Sequence, residues 1–205
     1  MTLRDSASRV VTRRPEIVAF AAMLDGLGAN PADPEARARY MALVAPGETA
    51  ARAAEMATMS GCALVVRGIW RAFIDHPILS RPYVTGRAMA DLVTIAREAG
   101  ALHPWPTRIP EPGDVVIIGG GTDGGGPEHA WLALTVDVDE DAASLTASGI
   151  DGGQRDGQGF QVVKEREHVM GQGRDRAHDD GAPGGAARRV RYVIDVEAVL
   201  ERFGR

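Results

Sequence analysis

Cys62 is the only cysteine in the chain, so it can neither form an internal disulfide nor contribute to a cysteine-rich metal site. Its surroundings suit a nucleophile. From Leu64 onward the apolar residues Leu64, Val65, Gly68, Ile69, Ala72 and Phe73 follow the i, i+3, i+4 rhythm of a helix. Val66 and Trp70 widen that face and leave only Arg67, Arg71 and Asp75 as a polar stripe, which predicts a helix buried on most sides over Ala63 to Asp75. Ser60 is placed as its N-cap. Cys62 then lies in the first turn, where unpaired N–H groups and the positive end of the helix dipole favour thiolate over thiol. The competing reading is packing, because free cysteine also serves as a small buried hydrophobe.

A thiolate nucleophile needs a base, and five histidines compete for that role. His76 and His103 each precede proline at the end of an element, and His168 and His178 lie in or beside a polar stretch. His129 alone starts a strongly patterned strand. There His129, Trp131, Ala133 and Thr135 share one face, and Ala130, Leu132, Leu134 and Val136 share the other.

The next strand supplies a third group. With a turn centred near Glu140 or Asp141, antiparallel pairing sets His129 opposite about Asp151 to Gly153. Asp151 and Gln154 are the two side chains there that can accept from an imidazole N–H and sustain an imidazolium beside a thiolate. They have opposite parity, but the intervening Gly152-Gly153 can host a bulge that resets the face. Register favours Asp151 as the group on His129, with Gln154 nearby. Three independent placements thus agree on a cysteine–histidine site.

The elements that must hold these residues change character midway. A polar, basic leader occupies residues 1–14, and a helix from about Pro15 ends near Leu27-Gly28. Asp33-Pro34-Glu35 opens a second helix, with an Asp cap and Pro at the first position, running to about Val44. A third spans Glu48 to Met56 and leads into the Cys62 helix, which His76-Pro77 closes. Thr85 is placed as the cap of a helix from Gly86 to Ala99. Four prolines between Pro104 and Pro112 then form a crossover. Strands are predicted over Val115 to Ile118, His129 to Val136, Ser144 to Ile150, Phe160 to Lys164 and Arg189 to Ile194, followed by a helix that Asp195 caps. Residues 171–188 are rich in Gly, Asp and Arg without periodicity and are expected to form a flexible loop. The glycine-rich stretch Gly119 to Gly126 lacks a P-loop ending and precedes a strand rather than a helix, so it is a connection, not a phosphate cradle. Helices first and then antiparallel strands give an α+β class.

Composition bounds the function. Of 205 residues, 44% are hydrophobic, enough for a core, and the net charge of -5 argues against a nucleic-acid partner. No run approaches the roughly 18 apolar residues a membrane span requires. The stretch Ile17 to Leu24 follows Arg13-Arg14 as a signal peptide would, but Glu16 and Asp25 bracket it and no small-residue cleavage site follows. An amphipathic helix is the expectation.

At these residues the chain resembles the papain-like cell-wall hydrolases, the NlpC-type endopeptidases and the CHAP amidases. The likeness rests on Ser60-Gly61-Cys62 opening a buried helix, on Pro112-Gly113-Asp114-Val115-Val116, on Glu128-His129-Ala130-Trp131 and on Asp151-Gly152-Gly153-Gln154. It covers about residues 50 to 170. The resemblance implies a papain-like α+β fold, with the nucleophile helix of an N-terminal helical half packed on a C-terminal antiparallel sheet. An N-terminal helical extension (1–45) would precede the hydrolase domain (46–205). It implies a cysteine peptidase or amidase acting on peptidoglycan stem peptides, with Cys62 as nucleophile, His129 as base and no cofactor or metal. It also points towards Gln154, because related segments commonly end in an amide. With no recognisable signal peptide, reaching a cell wall is expected to need another route, such as phage lysis or a dedicated secretion system. Two other classes stay open: a cysteine-dependent deamidase or acyltransferase acting on a protein, and a non-catalytic binding module.

Overall fold

The computed structural model describes residues 13–57, 61–84, 86–119, 127–139, 144–171, 174–178 and 188–205. Local signals set most helix starts. Pro15 stands in the first turn of α1 (Arg14–Ala22). Asp33 accepts from Ala36 N at 3.0 Å and opens α2 (Pro34–Val44), while Thr49 caps α3 (Ala50–Met56) through Arg52 N at 3.3 Å. The apolar helix is α4 (Cys62–Phe73). Its N-cap is Gly61 rather than Ser60, which lies outside the described residues, and no side chain caps it. After it come the single turn α5 (Pro77–Ser80), capped by His76, and α6 (Ala88–Glu98). The latter starts two residues later than predicted, with Arg87 at the cap; Thr85 is outside the described residues.

The strands are β1 (Leu102–Pro104), β2 (Val115–Gly119), β3 (Pro127–Asp139), β4 (Ser144–Arg155), β5 (Gln161–Gly171), β6 (Arg174–His178) and β7 (Arg188–Ile194). Asp195 then caps α7 (Val196–Phe203), accepting from Glu197 N at 2.9 Å and Ala198 N at 3.3 Å. Strand order is β1-β7-β2-β3-β4-β5-β6, antiparallel at every pairing. The sheet closes on itself, because β6 also pairs with β7 through Arg174↔Arg189 and Asp175↔Arg188, leaving β1 outside the ring.

That last pairing overturns the expected papain-like α+β arrangement of a helix on an open sheet. The strands from β2 to β7 form a closed antiparallel six-stranded barrel with helices around it. The physical reason is one segment. Residues 174–178 fall inside the stretch expected to be a flexible loop, yet they form a strand bonded on one side to β5 and on the other to β7. Gly171 ends β5 and Arg188 opens β7, while 172–173 and 179–187 of the expected loop lie outside the described residues.

Strand alternation builds two cores. One face of β2, β3 and β4 sends Val115, Ile117, Ala130, Leu132 and Ile150 against the helices. The other face fills the barrel with Val116, Ile118, Trp131, Ala133, Leu145, Ala147, Met170 and Val190. Ile17, Ala21, Tyr40 and Leu43 of α1 and α2 share the helical core with α4, so the residues assigned to an extension (1–45) and those of 46–205 bury a common surface. Helix α4 lies at its centre, against β3, β4, α1, α2, α5 and α6. Its Arg67 is buried and no part of a solvated stripe. It donates to the Ile78 and Arg81 carbonyls at 2.9 and 2.8 Å and stands 3.5 Å from Asp91. Among the described residues no helix is long and apolar enough to cross a membrane.

Candidate functional site

The N-terminus of α4 reaches the barrel where β4 makes room for it. Register along β4 shifts between Asp151 and Gln154, the bulge that Gly152-Gly153 foreshadows, with Gly153 at φ 79°. A side chain at Gly152 would bring its Cβ within 2.6 Å of Val65 and 2.9 Å of the Gly61 carbonyl. Backbone therefore packs on backbone there, and Cys62 is delivered beside the start of β3. The Gly61 N–H donates to the buried Gln161 side chain at 3.3 Å.

Cys62 is 5% exposed and His129 8%, so the pair offers solvent only a narrow edge. The sulfur lies 3.9 Å from the Glu128 carbonyl and shares a hydrogen bond with the His129 ring. His129 Nε2 stands 2.7 Å from Asp151 Oδ1, which leaves Nδ1 as the nitrogen for the thiol. Asp151 pairs with Trp131 across the sheet and reaches His129 as its diagonal neighbour on the same face. The Gln154 amide is directed at Asp151 rather than His129, donating to Asp151 Oδ2 at 3.5 Å. Of the four residues singled out from sequence, the structure brings Cys62, His129 and Asp151 into one chain of contacts and sets Gln154 beside it.

Charges within this chain reinforce one another. Burial alone would push the His129 imidazole down, but the Asp151 carboxylate, its hydrogen bond and Cys62 outweigh that and raise it from 6.5 to about 10. Burial likewise pushes Asp151 up, and His129, His168 and Arg166 together bring it below its ordinary value. The buried Tyr40 hydroxyl is raised first by burial and then by its neighbour Cys62. The group thus sets a carboxylate-bound imidazole beside the Cys62 sulfur.

A second layer was not foreseen. Arg166 Nη1 donates to Asp151 Oδ2 at 3.2 Å, and His168 Nε2 lies 3.6 Å from the same oxygen. Behind them, His168 Nδ1 meets Asp175 Oδ2 at 3.0 Å, and Trp131 Nε1 donates to that oxygen at 3.0 Å. The His168 and Trp131 rings stack at 3.8 Å. The strand predicted over Phe160 to Lys164 stops short of these residues, although Arg166, His168 and Met170 carry its alternation onward. Of the other histidines, His76 bonds Glu98 at 3.0 Å and caps α5, and His103 lies in β1 opposite Val193. In the glycine-rich connection, Gly119 ends β2 and residues 120–126 lie outside the described set.

Among the described residues, no group of three or more His, Cys, Asp or Glu is arranged to hold a metal ion. No protein-family model matches the chain, and comparison with curated proteins and with solved structures finds no similar one.

Proposed function

We propose that the protein is a cysteine hydrolase that cleaves amide bonds, with peptidoglycan stem peptides as its substrate. The observation that carries the cysteine chemistry is the contact chain Cys62–His129–Asp151, with the sulfur at the first residue of a buried helix and a 2.7 Å imidazole–carboxylate bond behind it. Cys62 attacks the carbonyl carbon as a thiolate. The C–N bond breaks as His129 gives its proton to the departing amine, leaving a thioester on the enzyme. Water, deprotonated by the same imidazole, then hydrolyses the thioester and returns the thiolate. Asp151 fixes the ring so that Nδ1 faces the sulfur, and it stabilises the imidazolium throughout. The Cys62 N–H, at the open end of α4, is a donor for the oxyanion of each tetrahedral intermediate. The choice of substrate rests on the sequence likeness at Ser60-Gly61-Cys62, Pro112-Gly113-Asp114, Glu128-His129-Ala130-Trp131 and Asp151-Gly152-Gly153-Gln154.

Purified peptidoglycan incubated with the protein and with Cys62→Ala, followed by mass spectrometry of the released muropeptides, tests the proposal. New fragments with the native protein and none with the variant are expected. Identical profiles from both, with Cys62 still labelled by iodoacetamide in the folded state, would refute the substrate and leave the thiol chemistry to be sought on proteins.

A further inference from the structure

Behind the proposed nucleophile and base lies a second histidine–carboxylate pair on which no step above depends. His168 and Asp151 are fully buried, Asp175 is 2% exposed, and Trp131 closes over the imidazole as a stacked ring. The protons in this cluster can be assigned from donors that have no choice. An indole N–H only donates, so Asp175 Oδ2, 3.0 Å from Trp131 Nε1, is an acceptor. A guanidinium only donates, so Asp151 Oδ2, 3.2 Å from Arg166 Nη1, is an acceptor as well. His168 presents Nδ1 to the first oxygen at 3.0 Å and Nε2 to the second at 3.6 Å. Nδ1 also lies 3.2 Å from Asp175 Oδ1, so facing an ionised Asp175 it carries a proton. Nε2 is buried without a hydrogen-bond partner, and bare it would aim its lone pair at a buried carboxylate. A protonated Nε2 makes an ion pair at the same distance.

We propose that His168 is an imidazolium bridging Asp151 and Asp175, a positioning residue that keeps Asp151 an anionic acceptor for His129. The barrel would then hold one alternating line of charge: Asp175, His168, Asp151, His129 and Cys62. Trp131 excludes water from one side of it, and Arg166 flanks it on the strand that carries His168. The consequence for the thiol rests on the cysteine-hydrolase reading; the bridge itself does not.

Two measurements test the two parts separately. Nitrogen-detected NMR of the full-length protein labelled with 15N-histidine reads the protons on each ring. His168 is expected to show both nitrogens protonated, and Asp175→Asn should convert it to a single tautomer. One bare His168 nitrogen in the native protein would overturn the bridge. Iodoacetamide labelling of Cys62 across pH then reads the coupling in His168→Gln, where the facing charges of Asp151, Asp175, Arg166 and His129 remain. Loss of the central cation should move the labelling midpoint upward, slowing reaction at neutral pH about tenfold, which is one unit of pKa. An unchanged profile in a folded His168→Gln protein would refute the positioning role. If that variant does not fold, Asp175→Asn, which keeps His168 in place, supplies the same profile. A native protein whose thiol never labels would sink the hydrolase reading while the NMR signature still decides the bridge.

Discussion

At the scale of single residues, Asp151 performs two tasks that can be separated by substitution. It orients the His129 ring through Oδ1 at 2.7 Å, and it supplies the charge that stabilises the imidazolium. Asp151→Asn keeps the shape and removes the charge, so kcat on an amide substrate should fall by about 10²–10⁴, the scale on which such orienting groups act. Gln154→Ala removes a contact of only 3.5 Å to the far oxygen and should cost less than about tenfold. Steady-state kinetics of both variants checks the ordering, and the reverse ordering would make the amide the partner of the base. The His129 charge also has a signature in stability. Its folded value of about 10 lies above the 6.5 of the unperturbed ring, so its stabilising contribution is complete below pH 6.5 and fades as pH rises toward 10. Asp151, lowered in the fold from 3.8, contributes above that pH and loses its effect as pH falls below it. Urea unfolding should therefore show the native midpoint declining between pH 6.5 and 10, with a shallower decline in His129→Gln over that window. A parallel decline in both would assign the loss to other groups.

Elements show why some of this was legible and some not. The starts of α2 and α7 follow from Asp33-Pro34 and Asp195, because a cap and the donors it satisfies lie within three residues. Nearness of His129 to Asp151 could also be read, since a hairpin turn converts numbering into register. What binds Cys62 to that hairpin is a tertiary fact. Helix α4 must approach β4 closely, and only Gly152 hints at it in the sequence. Gly152→Ala would set a methyl against Val65 and against the Gly61 carbonyl, which belongs to backbone and cannot rotate away. A stability loss of about 1–3 kcal/mol is expected from such overpacking. Activity should fall further, by up to about a hundredfold, as the thiol moves from the imidazole. Gly157→Ala, with nothing within 4 Å of its added Cβ, is the control and should stay within about 0.5 kcal/mol. Equal behaviour of the two in denaturant melts would refute the close-approach argument. The second layer escaped because the polar alternation of Arg166 and His168 resembles a solvated strand until the barrel closes over it.

For the whole molecule, the difference between an open sheet and a barrel turned on residues 174–178. Four of these five residues are polar, and their neighbours are rich in glycine and aspartate, so no hydrophobic period marks a strand. Pairing on both sides supplies the order that local propensity does not. Hydrogen exchange monitored by mass spectrometry should find the amides of 174–178 protected to a degree comparable with β5; exchange at the rate of a free peptide would reopen the barrel. Closure also leaves β7 shared, its last residues pairing with β1 and its first with β6. Sheet growth beyond the barrel stops at Leu102–Pro104, three residues long and ending in a proline that has no N–H to offer. Within the barrel, β3 keeps an unshared flank over residues 135–139, which pair with β4 on one side while β2 reaches only as far as Leu132. Under the proposed hydrolase reading, that flank offers an extended peptide backbone donors and acceptors to pair with.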